Sequence, residues 1–168
     1  MKSRVAYHQL APEGYKGLLG LEEVIHQFSL EAPLMHLVKL RASLINGCAY
    51  CIDMHWKDLR ALGEPENRLY GLSAWEEMPW YSPRERAALA WTDEVTRISE
   101  THASDEAFGR VREHFSEKEL AELTLVIATI NTWNRMAISF RVEPGHYRSK
   151  LQPVVSLSSQ RKPEGVVV

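Results

Sequence analysis

The chain has 168 residues, of which 45% are hydrophobic and 25% charged, and its net charge is −2 at pH 7. This length and composition are those of one globular domain with a substantial core. The small charge gives no electrostatic reason to expect nucleic acid or an anionic membrane as a partner, and the most apolar run, Leu123–Ile130, is far too short to span a bilayer.

The first fifteen residues contain no apolar run of the kind that a signal peptide needs. We therefore expect a cytoplasmic protein, and thiols in the cytoplasm are kept mostly reduced. In that compartment a close pair of cysteines indicates catalysis or metal binding rather than a structural disulfide.

Helical periodicity dominates the first third of the chain. Apolar residues along Ala11–Ser29 follow one stripe of a helix. A second helix is expected over Pro33–Asn46, because proline suits a first helical turn and Gly47 is a natural stop. A third helix is expected over Cys48–Leu62, again closed by a glycine.

The middle and last thirds are helical as well. Residues 64–75 favour one or two short turns. Two capping boxes, each a serine followed three residues later by a glutamate, begin helices at Pro83–Ser99 and at about Glu117–Phe140. A shorter helix is expected between them over Ser104–Phe115.

The sequence therefore predicts an all-α, single-domain helical bundle of six to eight helices over residues 1–145. After Pro144 the chain becomes polar, and residues 146–168 are expected to form a tail or an extended arm. Asn131 and Asn134 lie late in the last helix, where asparagine is unusual. We interpret them as polar helix–helix packing, with pocket or interface hydrogen bonding as the alternative.

Both cysteines of the chain lie in one short segment, Asn46–His55. On a helix Cys48, Cys51 and His55 share one face. Residues three apart on a helix have Cβ atoms about 5–6 Å apart, and a disulfide needs about 3.5–4.5 Å, so the pair can bridge after a small adjustment. Such a small loop adds at most about 2 kcal/mol to stability, which suits redox cycling better than it suits a structural bond.

The start of a helix favours the thiolate, the nucleophilic form of cysteine, because unpaired N–H groups and the helix dipole stabilise negative charge. His55 can assist as a base or as a hydrogen-bond partner of the sulfur. Since Cys51 is the nearer to His55 in helical register, we expect Cys51 to attack a peroxide and Cys48 to resolve the sulfenic acid that forms.

The segment LVKLRASLINGCAYCIDMHWKDLRALGE resembles the alkylhydroperoxidase AhpD-like branch of the carboxymuconolactone decarboxylase family, as do LYGLSAW, SPRERAALAWTDEVTRIS and HFSEKELAELTLVIATINTWNRMAI. The resemblance covers roughly Leu18–Ile138. It implies an all-helical homo-oligomer, often a trimer or a hexamer, with thiol-dependent peroxidase or disulfide reductase activity and no metal or other cofactor. It also implies that Cys51 reacts with the peroxide, that Cys48 resolves it, and that His55 belongs to a proton relay.

One position departs from the family pattern. The family usually has a glutamate in an E-L-V-x-L-R block before the cysteines, and this chain has His36 there, in HLVKLR. A histidine accepts a proton near neutral pH, so His36 can join the relay, but it supplies no fixed negative charge. His36 also projects about 120° from the centre of its helix's apolar stripe, so the alternative is a partly exposed histidine without a function.

Three other functions are open. A zinc site would use both cysteines with His55 and either His36 or a histidine of another subunit, although zinc usually takes four ligands and no second cysteine pair exists. A redox-sensing or oligomeric binding module would use the disulfide to alter assembly without turnover. Lactone decarboxylation, the chemistry of the other branch, has no use for paired thiols. We therefore expect a hydroperoxide as substrate and a dithiol protein or small thiol as reductant.

Overall fold

The fold is known from a computed structural model that describes residues 2–152, so that residues 153–168 of the expected tail lie outside the described part. Within residues 2–152 the chain is all-α, as predicted. The helices are α1 (Tyr7–Leu10), α2 (Pro12–Ile25), α3 (Ala32–Asn46), α4 (Ala49–Ala61), α5 (Glu66–Tyr70), a 3₁₀ turn (Gly71–Ala74), α6 (Pro83–Thr96), α7 (Ile98–Thr101), α8 (Asp105–Arg112) and α9 (Glu117–Phe140). Helices α1 and α7 are single turns, so the seven longer α-helices fall within the predicted number.

The helix starts that the sequence predicts from caps are confirmed. The side chain of Ser82 accepts the N–H of Glu85, and the Glu85 side chain accepts the N–H of Ser82. Ser116 and Glu119 form the same reciprocal pair at the start of α9, which has the predicted bounds. Gly47 ends α3 in the left-handed conformation, at φ 70°, where a residue with a Cβ atom is strained.

Two helices end earlier than the sequence predicts. In each case a side chain forms a hydrogen bond with another element close to the end of the helix. Helix α2 ends four residues early, since the N–H and hydroxyl of Ser29 both donate to the Glu122 carboxylate, at 3.0 and 2.6 Å. Helix α6 ends three residues early, and the Thr101 hydroxyl donates to the carbonyl of Glu94 at 2.7 Å. These contacts join residues that are distant in sequence or on different elements, so apolar periodicity does not reveal them.

Helix α3 lies at the centre of the bundle and packs against α4, α6 and α9. Every residue from Leu34 to Ser43 is buried, including two cations. Arg41 forms a two-pronged ion pair with Asp93, at 2.7 and 2.6 Å, and Lys39 donates to Glu22 at 2.6 Å. A buried charge is tolerated when it is paired in this way, so α3 can present polar side chains inside the protein.

The end of α3 is fixed to α9 by amides. The Asn46 amide donates to Asn131 at 3.0 Å and to Asn134 at 2.8 Å, and Asn134 donates to the Ser43 hydroxyl at 3.1 Å. The interpretation of the two asparagines of α9 as polar helix–helix packing is therefore confirmed. These bonds hold the start of α4 in place, because α4 follows directly after Gly47.

Among residues 2–152, no helix combines the length and the apolar character that crossing a membrane requires.

Candidate functional site

The two cysteines lie at the start of α4, buried against α3 and α9. Cys48 is the N-terminal cap of the helix and Cys51 lies in its first turn, and each is 1% exposed. They are joined in a disulfide, with Cα atoms 5.4 Å apart. Around them pack Ala42, Ile130 and Ala137 from the two neighbouring helices. The bond that the spacing of the cysteines predicts is therefore present in the structure.

The start of α4 forms a hydrogen bond to one of the two sulfurs. The N–H of Cys51 donates to Sγ of Cys48 at 3.4 Å, so Cys48 receives the hydrogen bond of the cap. A cap position next to unpaired N–H groups favours negative charge. Both cysteines lie at this end of the helix, as the sequence predicts, and the hydrogen bond of the cap goes to the Cys48 sulfur.

His55 follows Cys51 by one turn of α4 and faces His36 of α3. The Nδ1 atoms of the two rings are 3.3 Å apart, and His55 is 3% exposed. His36 is only 9% exposed, so the alternative of a partly exposed histidine is wrong. The reason is that α3 is covered on all sides, and the face that the apolar stripe leaves open packs against α4.

A carboxylate completes this cluster, and it comes from α4. One oxygen of Asp58 is 3.7 Å from Nδ1 of His36 and 4.0 Å from Nδ1 of His55, and Asp58 is 3% exposed. Its other oxygen accepts the hydroxyl of Tyr147 at 2.7 Å. Asp58 thus places a negative charge near the position where the family pattern would place one on α3.

Sequence reasoning missed both Asp58 and Tyr147. A signal for Asp58 was available, because it follows His55 by three residues and therefore lies on the same face of α4. Tyr147 had no such signal, since 89 residues separate it from Asp58 and no helix carries it.

Burial keeps the two histidines neutral near pH 7. It lowers the pKa of His36 to about 4, with a further decrease from Lys39, although the Asp58 carboxylate acts in the opposite direction. Burial also holds the pKa of His55 well below its usual value, with His36 and Lys39 adding to the effect. Desolvation outweighs the attraction of the carboxylate because both rings lie inside the protein.

Neutral rings can share only one hydrogen between their facing Nδ1 atoms. When His55 donates this hydrogen, its Nε2 atom keeps a lone pair and can take up a proton. This Nε2 atom is buried and has no hydrogen-bond partner among residues 2–152. An unpartnered buried acceptor is costly to leave unsatisfied, so the arrangement leaves one position on His55 open for a reacting group.

Cys51, His55, His36 and Asp58 line one cavity of about 620 Å³. Its walls are mainly aromatic and apolar, with side chains from Tyr7, Tyr15, Leu19, Tyr50, Met54 and Trp133. Another part of the wall is polar. There the Glu22 carboxylate accepts hydrogen bonds from Lys39 and from the Trp133 indole, at 2.6 and 2.9 Å. The cavity can therefore enclose a largely apolar molecule next to the Cys51 sulfur.

The chain after α9 forms part of the same wall. Tyr147, Arg148, Lys150 and Leu151 all line the cavity. Besides the bond from Tyr147 to Asp58, the N–H of Gly145 donates to Asp53 at 3.0 Å and Lys57 donates to the Tyr147 carbonyl at 3.2 Å. The described part of the residues after Pro144 is thus attached to α4 next to the site.

The structure also bears on metal binding. The two sulfurs are bonded to each other, so in this state they offer no thiolate to the zinc site that the sequence leaves open. His36, His55 and Asp58 bring one ligand atom each to within 4.8 Å of one another. These three side chains could hold a divalent metal ion, in competition with the hydrogen bond between the rings.

Comparison with known proteins places these features in context. The sequence profile of the carboxymuconolactone decarboxylase family matches residues 12–94. The uncharacterized protein YdfG of Bacillus subtilis (strain 168) is 45% identical over 139 residues, which are 83% of this chain and 95% of that protein.

Solved structures show the same fold. A protein of unknown function from Agrobacterium tumefaciens, described as a candidate AhpD antioxidant defence protein, superposes with a TM-score of 0.84 at 46% identity, covering 86% of this chain and 99% of the other. An uncharacterized peroxidase-related protein with an alkylhydroperoxidase AhpD core, from Ralstonia eutropha JMP134, gives a TM-score of 0.74 at 20% identity, covering 83% and 74% of the two chains. The second likeness concerns the fold alone.

Proposed function

The chain belongs to the AhpD-like branch of the carboxymuconolactone decarboxylase family, and we propose that it is a thiol-dependent peroxidase that reduces hydroperoxides with Cys48 and Cys51. The observation that carries the proposal is that Cys51, which is bonded to a second cysteine, lines the same cavity as His55, whose Nε2 atom has no hydrogen-bond partner among residues 2–152. A peroxidatic sulfur, a base and a resolving sulfur are the parts that such a cycle needs.

The first step takes place in the cavity of about 620 Å³. Nε2 of His55 accepts the proton of the Cys51 thiol, and the thiolate attacks the terminal oxygen of the hydroperoxide. The S–O bond forms as the O–O bond breaks, and the alkoxide leaves with the electron pair and takes a proton back from His55. The sulfur is oxidised to sulfenic acid and the hydroperoxide is reduced to an alcohol.

The second step forms the disulfide that the structure contains. The sulfur of Cys48, whose thiolate the helix cap favours, attacks the sulfur of Cys51. The S–O bond breaks, and the hydroxyl group leaves as water with the proton from Cys48. An external dithiol then reduces the disulfide in two exchange reactions and becomes a disulfide itself.

His36 and Asp58 act on this chemistry through His55. A hydrogen bond from Nδ1 of His55 to His36, 3.3 Å away, fixes the tautomer that leaves Nε2 free to accept a proton. The Asp58 carboxylate lies 4.0 Å from Nδ1 of His55 and stabilises the ring while it carries the extra proton. We propose both as positioning residues, and in this way His36 takes the place of the family's glutamate together with Asp58.

The proposal includes the surroundings of the enzyme. Its partners are a hydroperoxide and a dithiol protein or small thiol, and it works in the cytoplasm, where such reductants are maintained. We further propose that it works as a homo-oligomer, a trimer or a hexamer. Large apolar side chains that remain exposed on one chain support this, among them Leu10, Val24, Ile98 and Phe108.

Replacement of the attacking sulfur tests the proposal most simply. We expect Cys51→Ser to abolish dithiol-dependent peroxide consumption, because the hydroxyl of serine is a far weaker nucleophile than a thiolate. Cys48→Ser is the matched control: it keeps the attacking sulfur, so one equivalent of peroxide still oxidises Cys51 to a sulfenic acid, which a sulfenic-acid probe traps. Unchanged peroxide consumption by the Cys51→Ser protein would contradict the proposal.

A redox-sensing module without turnover is the second candidate, favoured by the disulfide itself. It predicts that oxidised and reduced protein differ in oligomeric mass while peroxide is consumed only once per chain. The peroxidase predicts many turnovers with excess dithiol, so one assay at limiting protein concentration separates the two functions.

A further inference from the structure

The two cysteines of the disulfide line different cavities. Cys51 lines the cavity of about 620 Å³ together with His55, and Cys48 does not line it. Cys48 instead lines a second cavity of about 350 Å³, between the start of α4 and the end of α9. The residues around it are Gly47, Cys48, Ala49, Tyr50, Ala137, Ile138, Arg141, Val142, Glu143 and Pro144. Each cysteine thus borders a cavity of its own.

This separation has a chemical consequence for the reduction of the disulfide. In thiol–disulfide exchange the attacking sulfur and the leaving sulfur lie on opposite sides of the sulfur under attack. A thiolate that attacks Cys48 must therefore come from the side away from Cys51. The second cavity borders Cys48, whereas the cavity with His55 borders Cys51.

We propose that the second cavity is the binding site of the reducing dithiol, so that peroxide and reductant reach the disulfide by separate routes. The proposal rests on the peroxidase function proposed above. One thiolate of the reductant attacks Sγ of Cys48, the S–S bond breaks, and Cys51 leaves as a thiolate beside His55. The second thiol of the reductant then attacks its own sulfur in the mixed disulfide, releases Cys48 and leaves as a closed disulfide.

The walls of the second cavity combine apolar side chains with a cation. Ile138, Val142 and Pro144 give it an apolar surface, and its volume is little more than half that of the first cavity. Arg141 also lines it, and its guanidinium forms no ion pair with any residue between 2 and 152. A cation there favours the thiolate of an incoming reductant.

Two substitutions test the proposal, and each of them narrows one of the two cavities. Ile138 lines only the second cavity and is 45% exposed, and Leu19 lines only the first and is 41% exposed. Ile138→Trp and Leu19→Trp therefore form a matched pair of substitutions at exposed helical positions, where a larger side chain does not overpack the core. Thermal unfolding of both variants checks that they fold.

The first readout is independent of peroxidase activity. In a Cys51→Ser background we expect Ile138→Trp to slow the reaction of Cys48 with dithionitrobenzoate about fivefold or more, and Leu19→Trp to leave that rate unchanged. In a Cys48→Ser background the pattern for Cys51 is reversed. If either substitution slows both cysteines alike, the two sulfurs share one route and the proposal is overturned.

The second readout uses turnover with dithiothreitol and cumene hydroperoxide. We expect Ile138→Trp to raise the KM for dithiothreitol several-fold and leave the KM for the hydroperoxide unchanged, and Leu19→Trp to do the opposite. An unchanged KM for dithiothreitol in the Ile138→Trp enzyme overturns the separate route. Failure of the peroxidase function itself gives a different result, namely no turnover in the wild-type protein.

Discussion

At the scale of single residues, the site depends on two histidines that burial keeps uncharged. The attraction of Asp58 favours protonated rings, but desolvation is the larger effect, and the pKa of His36 falls to about 4. A neutral His55 is suited to accept a proton during attack. In the proposed first step His55 therefore acts as a base during the attack and does not form a standing ion pair with a thiolate.

The lowered pKa of His36 predicts how stability depends on pH. Its pKa is about 4 in the folded protein and about 6.5 when unfolded, so the unfolded chain binds more protons between these values. The contribution of His36 to the free energy of unfolding is therefore fully present above about pH 6.5. It decreases by on the order of 2–3 kcal/mol as the pH falls towards 4. We expect His36→Gln to reduce this loss, as measured by urea unfolding at pH 7 and at pH 4.5.

A control for the substitution itself is His8→Gln, on an exposed side chain outside the cluster. His55 still contributes acid sensitivity in the His36→Gln protein, because burial lowers its pKa as well. An equal loss of stability on acidification with and without the His36 imidazole would show that this ring is not buried as a neutral group.

At the scale of elements, one helix organises the whole site. Helix α4 carries both cysteines, His55 and Asp58, and α3 adds His36 opposite them. The sequence predicts this part well, because residues three and four apart on a helix share a face whatever the rest of the fold does. Helix starts were predicted for the same reason: capping is local, and the serine boxes contain their own partners.

The contacts between elements could not be predicted in this way. The end of α2 depends on Glu122, which is 93 residues from Ser29. The burial of His36 depends on what packs against α3, and the apolar stripe of that helix pointed to the opposite conclusion. Such features follow from tertiary packing, which a single sequence does not encode in any local pattern.

The segment after Pro144 is the clearest example of a contact that the sequence does not predict. The hydroxyl of Tyr147 donates to buried Asp58, and burial together with this carboxylate raises the pKa of Tyr147, so the hydroxyl stays protonated. Tyr147→Phe leaves a buried carboxylate oxygen without its donor. We expect this to cost about 1–3 kcal/mol of stability in urea unfolding, and to speed limited proteolysis after Pro144.

Tyr70→Phe is the matched control, because the Tyr70 hydroxyl also donates to a carboxylate, that of Glu66, but at an exposed site. Its removal should leave the stability nearly unchanged, because an exposed hydrogen bond is exchanged for one to water. Equal effects of the two substitutions would mean that the bond between Tyr147 and Asp58 does not fix the arm to the helix.

At the scale of the whole molecule, the sequence predicts the fold class, and the assembly is a proposal with a direct test. Helical periodicity along nearly the entire chain leaves little choice but an all-α bundle. The proposal of a larger assembly rests on exposed apolar side chains, among which Leu10 is 73% exposed and Ile98 is 54% exposed. We expect light scattering to give three or six times the chain mass of 19.2 kDa. A mass of one chain at micromolar concentration would exclude the proposed oligomer.

The central claim is that Cys51 and Cys48 together reduce one hydroperoxide to an alcohol and are oxidised to one disulfide, and counting thiols tests it directly. Fully reduced protein is mixed with one equivalent of hydroperoxide, and the free thiols are counted before and after. The account predicts that both thiols of each chain disappear and that dithiothreitol restores them, because the S–S bond is the only oxidised product of the cycle. Two thiols that persist after exposure to peroxide would contradict it.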